Sequence, residues 1–151
     1  MRAIYSITNI TNDKRYIGET MDVERRLKEH EEDLNNNKHH SYKLQQAWNT
    51  YGAESFKFEV IEELDKNIKN FIAQYVLIAY EDKYIKEYDS INNGYNVEET
   101  LKEIQLGNKS ITNNLKKDQG ILKAVINNIE RNQGKYLLSD NTLKRREREE
   151  S

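Results

Sequence analysis

The sequence predicts an α+β fold: a small three-stranded antiparallel sheet flanked by helices, with a short helical appendage at the C-terminal end. Three observations carry this. Two short alternating segments flank a turn-rich stretch near the N-terminus, a third alternating run occupies residues 56–61, and most of the remaining chain repeats with a helical period. At 151 residues, with 36% hydrophobic and 33% charged side chains, there is material for one compact domain plus an appendage.

In residues 2–8, Ala3, Tyr5 and Ile7 share one face and Ile4, Ser6 and Thr8 the other, as in a β-branched and aromatic strand. Residues 9–14 are rich in Asn, Thr and Asp and lead into Arg15-Tyr-Ile-Gly18, which predicts a β-hairpin with Gly18 as a structural turn residue. Asp22 is placed to cap a helix through about Leu34, with Val23, Leu27, His30 and Leu34 on one side; the Asn-rich run 35–38 ends it. Ser41 caps a second helix with the stripe Leu44, Ala47 and Trp48, and Gly52 is its left-handed stop. Phe56–Ile61 is the third strand. Residues 66–88 are the longest helix, with Phe71, Ile78 and Ile85 at seven-residue steps and Ile72 and Tyr75 on the same side. A turn at Asn92-Asn-Gly94 closes a module expected to span residues 1–98.

Beyond it the sequence suggests a linker over 99–109 and a small helical segment over 110–138. In that segment a Lys-Lys-Asp-Gln-Gly120 break precedes a helix, Ile121 to Arg131, carrying Leu122, Val125, Ile126 and Ile129. The charged tail, 139–151, is expected to lack fixed structure.

Charge is divided along the chain. Overall, 24 Lys+Arg oppose 26 Asp+Glu, but residues 1–100 hold 13 basic and 19 acidic side chains and residues 101–151 hold 11 and 7. An acidic front thus precedes a basic back. The absence of Cys excludes disulfide scaffolds and Cys-based zinc fingers. The N-terminus lacks a signal-peptide core, and the longest apolar run, Tyr75 to Tyr80, is too short to cross a bilayer, so a soluble cytoplasmic protein without a membrane partner is expected.

Several side chains could carry chemistry. Ala3-Ile4-Tyr5 and Tyr16-Ile17-Gly18 lie on the two arms of the hairpin, although strand tyrosines alone read as packing residues. Arg26 and His30, at i and i+4, lie beside the apolar stripe of their helix. Glu81 falls on the buried side of the long helix, where a carboxylate requires either an ion pair, for instance with Arg26, or a metal ion. His39 and His40 follow the Asn-rich loop with no further His or Cys at a metal-site spacing, and read as loop surface. Asn96 follows Gly94-Tyr95.

In this order, the hairpin, Arg-x-x-x-His helix, second helix, strand, Glu-bearing helix and Gly-Tyr-Asn turn resemble the GIY-YIG nuclease family over about residues 2–98. The resemblance is closest to its phage and intron-encoded homing branch, through the stretch from His39 to Gly52. It implies a metal-dependent DNA endonuclease of phage or mobile-element type acting on double-stranded DNA in a bacterial or phage-infected cell. The alternatives are a restriction or repair nuclease, or a non-cleaving DNA-binding protein of the same fold. By the same resemblance the functional residues are Tyr5, Tyr16, Arg26, His30, His39, Glu81 and Asn96. Tyr5 would activate water with His30 beside it, Arg26 would clamp the phosphate, and Tyr16 would orient water or phosphate. Glu81 would hold one divalent cation, Mg²⁺ with Mn²⁺ able to replace it, and His39 and Asn96 would brace the site. Ala3 stands where the family usually has glycine, which a β conformation accepts. The segment 110–138 resembles the small helix-turn-helix modules attached to homing nucleases, with Lys123, Asn127, Asn128 and Arg131 as DNA contacts.

Overall fold

The computed structural model describes residues 1–150, without the side chains of Thr100 and Glu150; Ser151, the last residue of the expected tail, lies outside the described residues. Strands Ala3–Asn9 (β1), Arg15–Thr20 (β2) and Phe56–Glu63 (β3) form an antiparallel sheet in the order β2-β1-β3. Alternation along the strands sorts the core onto two faces. Ala3, Tyr5, Ile7 and Tyr16 pack beneath helices Val23–Asn35 (α1) and Tyr42–Tyr51 (α2). Ile4 and Ile17 pack on the opposite face beneath Asn70–Glu87 (α3), Thr100–Gln105 (α4) and Leu115–Asn132 (α5). Covered on both faces and both sides, β1 is buried along its whole length.

Local chemistry explains the helix boundaries. The Asp22 carboxylate accepts from the Arg25 N–H at 3.3 Å and the Ser41 hydroxyl accepts from the Leu44 N–H at 3.2 Å, each satisfying a first-turn donor. Gly52 ends α2 at φ +86°, ψ 155°, a backbone that L side chains rarely adopt. Gly18 is not a turn residue: it lies inside β2 opposite Tyr5.

The long helix begins later than its periodicity suggests, at Asn70, because the Arg2 guanidinium donates to the carbonyls of Asp65 (2.7 Å) and Ile68 (2.6 Å) and holds residues 65–68 as a turn. Phe71 consequently lies on the first turn and is 57% exposed, not part of the stripe. Packed between the sheet and α5, α3 buries Tyr75, Val76, Leu77, Tyr80, Tyr84 and Ile85 around most of its girth, so no narrow seven-residue stripe describes it.

The C-terminal third departs most from expectation. Part of the expected linker is α4, whose Leu101 and Ile104 enter the core. The expected break at Lys116–Gly120 is helical: the Asn114 side chain caps α5 at the Lys117 N–H (3.0 Å), and a Cβ at Gly120 would meet nothing, so that glycine costs only about 1 kcal/mol of propensity. Inside α5, the buried Asp118 carboxylate accepts from Tyr75 Oη (2.7 Å), Ser110 Oγ (2.6 Å), Thr112 Oγ1 (2.8 Å) and the N–H groups of Ile111 and Thr112. The expected disordered tail forms a further helix, Asp140–Glu150 (α6). It is recruited because β3 is an edge strand with unpaired backbone groups. Ser139 N–H donates to Glu63 O at 2.8 Å, Glu63 N–H donates to Thr142 Oγ1 at 3.2 Å, Arg145 donates to Ile61 O, and Arg146 pairs with the buried Glu62. No helix of the described residues is long and apolar enough to cross a membrane.

If the C-terminal helices belong to the same cooperative unit, Leu122→Ala should lower stability by about 2–5 kcal/mol. The one tryptophan, Trp48, lies in the cluster on the other face of the sheet and reports whether the loss is global. Its fluorescence should move to a lower urea midpoint in a single transition; an unshifted midpoint would mean that α5 folds separately.

Candidate active site

The site is organised around β2, the edge strand. The Asn96 amide donates to Ile17 O and accepts from Ile17 N–H, both at 2.8 Å, and Tyr95 N–H donates to Arg15 O at 2.8 Å, so residues 95–96 occupy the outer side of β2 in place of another strand. Pinned this way, β2 turns Tyr16 and Gly18 toward α1 and leaves Glu19 for α3. Gly18 faces the Tyr5 ring, where a Cβ would stand 2.3 Å from both Cζ and Oη. That contact, rather than a turn, accounts for the glycine.

Three histidines surround the two tyrosines. Ser41 N–H donates to His39 Nδ1 (3.0 Å), His39 Nε2 lies 2.6 Å from His30 Nδ1, and His30 Nε2 lies 2.5 Å from Tyr5 Oη. A backbone amide can only donate, which fixes the direction of the whole chain. The neutral His39 carries its proton on Nε2 and gives it to His30 Nδ1, so His30 carries its own on Nε2 and donates to Tyr5. Both rings are neutral, since burial, with the Arg26 charge next, pushes His30 down to about 2, and burial, with His40 next, pushes His39 down to about 4. The Arg26 guanidinium, held by Glu29 at 3.1 Å, lies close enough to Tyr5 that its charge lowers the phenol. The His30 donor and the Arg26 charge together favour the Tyr5 phenolate. Burial, joined by the neighbouring Tyr16, outweighs Arg26 and raises the phenol above its ordinary value.

Tyr16 has a different partner, His40 Nε2 at 2.9 Å. His40 stacks on His39 with centroids 4.4 Å apart.

Glu81 approaches from α3 on the other face of β2, beside Glu19. It makes no ion pair with Arg26, whose carboxylate partner is Glu29. Its carboxyl is pushed up to about 8, by burial first and then by Glu19, with the Glu19 N–H and Lys109 opposing. Burial likewise raises Glu19. Among the described residues no group of three or more His, Cys, Asp or Glu closes around an ion.

A family model for the GIY-YIG catalytic domain matches residues 1–96. The chain belongs to the GIY-YIG family. It is 34% identical over 117 residues to intron-associated endonuclease 1 of Enterobacteria phage T4, across 76% of this chain and 42% of that protein, so it spans less than half the length of that relative. Two solved structures share the fold. The catalytic domain of homing endonuclease I-TevI is 36% identical at a TM-score of 0.56, over 65% of this chain and 99% of that one. A mutant of the catalytic domain of intron endonuclease I-TevI is 35% identical at 0.57, over 66% and 97%.

Of the GIY-YIG residues expected from sequence, Tyr5, Tyr16, Arg26, His30 and His39 form one contiguous cluster. Glu81 lies across β2 from it, and the Asn96 side chain bonds the Ile17 backbone. Sequence reading passed over His40, placing it on the loop surface, because its role depends on the loop between α1 and α2 folding back over Tyr16. Glu19 was also passed over, although its place one residue after Gly18 could have marked it. On α5, Lys123, Asn127 and Arg131 line one open groove, whereas Asn128 turns its Oδ1 into the protein, buried and without a partner, so the structure does not present it as a surface contact.

Gly18→Ala should displace the Tyr5 ring and cost about 1–3 kcal/mol in thermal melts through overpacking. The histidine chain also sets a pH dependence. Unfolded histidine takes up a proton near pH 6.5, while folded His39 does so near 4 and His30 lower, so the unfolded state binds more protons in that window. The histidines alone should therefore cost stability as pH drops from about 6.5 toward 4, while Glu81, pushed up to about 8, and the raised Glu19 act in the opposite sense because the folded state binds their protons first. Urea midpoints at pH 7.5 and 5 in a Glu19→Gln/Glu81→Gln background isolate the histidine share; equal midpoints there would mean that the folded rings are charged.

Proposed function

We propose that this GIY-YIG chain is a metal-dependent endonuclease hydrolysing phosphodiester bonds in double-stranded DNA, of the phage or mobile-element homing type. The observation that carries the reading is the hydrogen bond between His30 and Tyr5 Oη, with Tyr16 and the Arg26 charge beside it, which brings a base and a phosphate clamp together. The Arg26 fork would hold the non-bridging phosphate oxygens. Tyr5, with His30 donating to its oxygen and the Arg26 charge beside it, would take the proton of the attacking water as the new bond to phosphorus forms. His30 stabilises the charged oxygen but does not take this proton, because its Nε2 already holds one. Tyr16 would orient the water or the phosphate, His39 sets the His30 tautomer, and Asn96 holds β2 in place.

The donors at Glu81 fit a hard divalent cation: two carboxyls, Glu81 and Glu19, both raised first of all by burial, with few protein ligands, the pattern that suits Mg²⁺ and leaves Mn²⁺ able to replace it. When bound to Glu81, the ion would stabilise charge on the leaving oxygen. Target affinity is assigned to the exposed face of α5, through Lys123, Asn127 and Arg131 at i, i+4 and i+8. Removing residues 101–151 would not isolate that contribution, because Leu101, Ile104, Leu122, Val125 and Leu138 belong to the core.

Plasmid nicking in Mg²⁺ and in EDTA tests the activity. Arg26→Ala and Glu81→Ala should each reduce cleavage by about 10²-fold or more with unchanged circular dichroism, while Lys57→Ala should cut normally. Full Mg²⁺-dependent cutting by the Glu81 variant would sink the metal assignment. Replacing both Lys123 and Arg131 by Ala should flatten the slope of log K against log salt by about 2. An unchanged slope would remove α5 from the interface.

A further inference from the structure

The two tyrosines of the site are wired to different ends. The chain from Tyr5 runs inward through His30, fully buried, and His39, 8% exposed, and stops at the Ser41 N–H. That amide has no lone pair with which to take up a proton, and each imidazole acceptor on the way is already occupied. The buried chain can hold a charge on Tyr5, but no proton can leave along it. Tyr16 is connected outward. Its hydroxyl lies 2.9 Å from Nε2 of His40, the one exposed member of the three histidines, and the His40 ring is fixed by stacking on His39 at 4.4 Å with the planes 26° apart. The Tyr16 ring itself meets His30, His39 and His40 edge-on, at centroid distances of 5.3, 5.6 and 5.8 Å, so it stands between the buried chain and the exposed ring.

We propose that His40 is the proton outlet of the site, receiving through Tyr16 the proton that must leave before Tyr5 can act as a base, and passing it to bulk solvent. This rests on the hydrolytic reading above. The sequence of transfers is balanced. The Tyr5 hydroxyl gives its proton to a water in the site; that water gives one to the Tyr16 oxygen as the Tyr16 hydroxyl proton moves to His40 Nε2. The resulting imidazolium releases its Nδ1 proton to solvent. No heavy-atom bond changes in this discharge, and nothing is oxidised or reduced. Tyr5 is left as phenolate, ready to take the proton of the water that attacks phosphorus. The need for an outlet agrees with the burial that keeps Tyr5 a phenol at rest. His40 thus acts through Tyr16 as a relay and positioning residue. Arg26, Asp33, Glu98 and His39 surround it and set its local field.

Single-turnover cleavage of supercoiled plasmid in Mg²⁺ and a weak buffer tests the outlet with the full chain. His40→Ala should slow the cleavage step about tenfold or more, leave half-saturation by DNA unchanged, and be restored by added imidazole that does nothing for the unsubstituted protein. His40→Gln keeps a hydrogen-bonding group beside Tyr16 but cannot relay the proton, and should be as slow as the Ala variant. Cleavage at the original rate by either variant, or an Ala variant that imidazole fails to restore although its Trp48 fluorescence is native, would overturn the outlet. Failure of the unsubstituted protein to cut any DNA in Mg²⁺ would instead overturn the hydrolytic reading on which it stands.

Discussion

The Asn96 amide gives one hydrogen bond to the carbonyl of Ile17 and takes one from its N–H, across 79 residues of sequence. This replaces a fourth strand. An edge strand without a partner can slip, and a slip of one residue would exchange its faces. Tyr16 and Gly18 would then leave the side of Tyr5, and Glu19 would leave the side of Glu81. Because Asn96 matches both groups of a single peptide position, it specifies register as well as pairing. The site straddles the strand so pinned, with aromatic and imidazole groups on one face and carboxyls on the other. Ser41 reinforces the arrangement from the far side: its hydroxyl donates to Tyr95 O at 2.5 Å while its N–H orients His39, so the Gly-Tyr-Asn turn and the histidine chain are fixed by one residue.

Features governed by near neighbours were legible in the sequence. Asp22 and Ser41 cap the helices they precede, and alternation in β1 assigns Tyr5 and Ile4 to opposite faces because both signals act over a few residues. What depended on distant pairing was not legible. The need for glycine at position 18 comes from its register against Tyr5, not from any turn. Phe71 shares the spacing of Ile78 and Ile85, yet a turn held by Arg2, far away in sequence, decides where α3 begins. His40 has no periodic relation to Tyr16, and its hydrogen bond exists only once α1, its loop and α2 have closed over the sheet.

The charge division also acquires a structural meaning. A basic C-terminal third could serve a polyanion, but part of that charge is used within the chain. Arg146 pairs with Glu62, 1% exposed, and Arg145 serves a carbonyl of the same strand. Leaving Glu62 buried without a cation would be costly. The acidic sheet therefore needs the arginines of α6, a helix neutral overall, and α6 is ordered for that reason despite its polar sequence. Ile61, whose carbonyl Arg145 serves, lies at the irregularity in β3 where Ile4 pairs with Glu62 and Tyr5 with Val60. Such a bulge re-aims side chains locally, so the last helix braces the strand directly beside Tyr5.

Tyr5 and Glu81 are raised by a common cause. Burial is the largest contribution for each, and the negative charge of Glu81 adds to the rise at both Tyr5 and Tyr16. Arg26, the cation beside the tyrosines, divides its influence between them and Glu29. Each unit of pKa corresponds to about 1.4 kcal/mol, so the site as folded holds free energy against the ionised forms of these groups. One positive charge beside Glu81 would act on all three groups with the same sign, restoring the carboxylate and reversing its unfavourable effect on the phenols. The effect would be greater at Tyr16, for which Glu81 follows burial as the next largest influence, than at Tyr5, for which it is a lesser one.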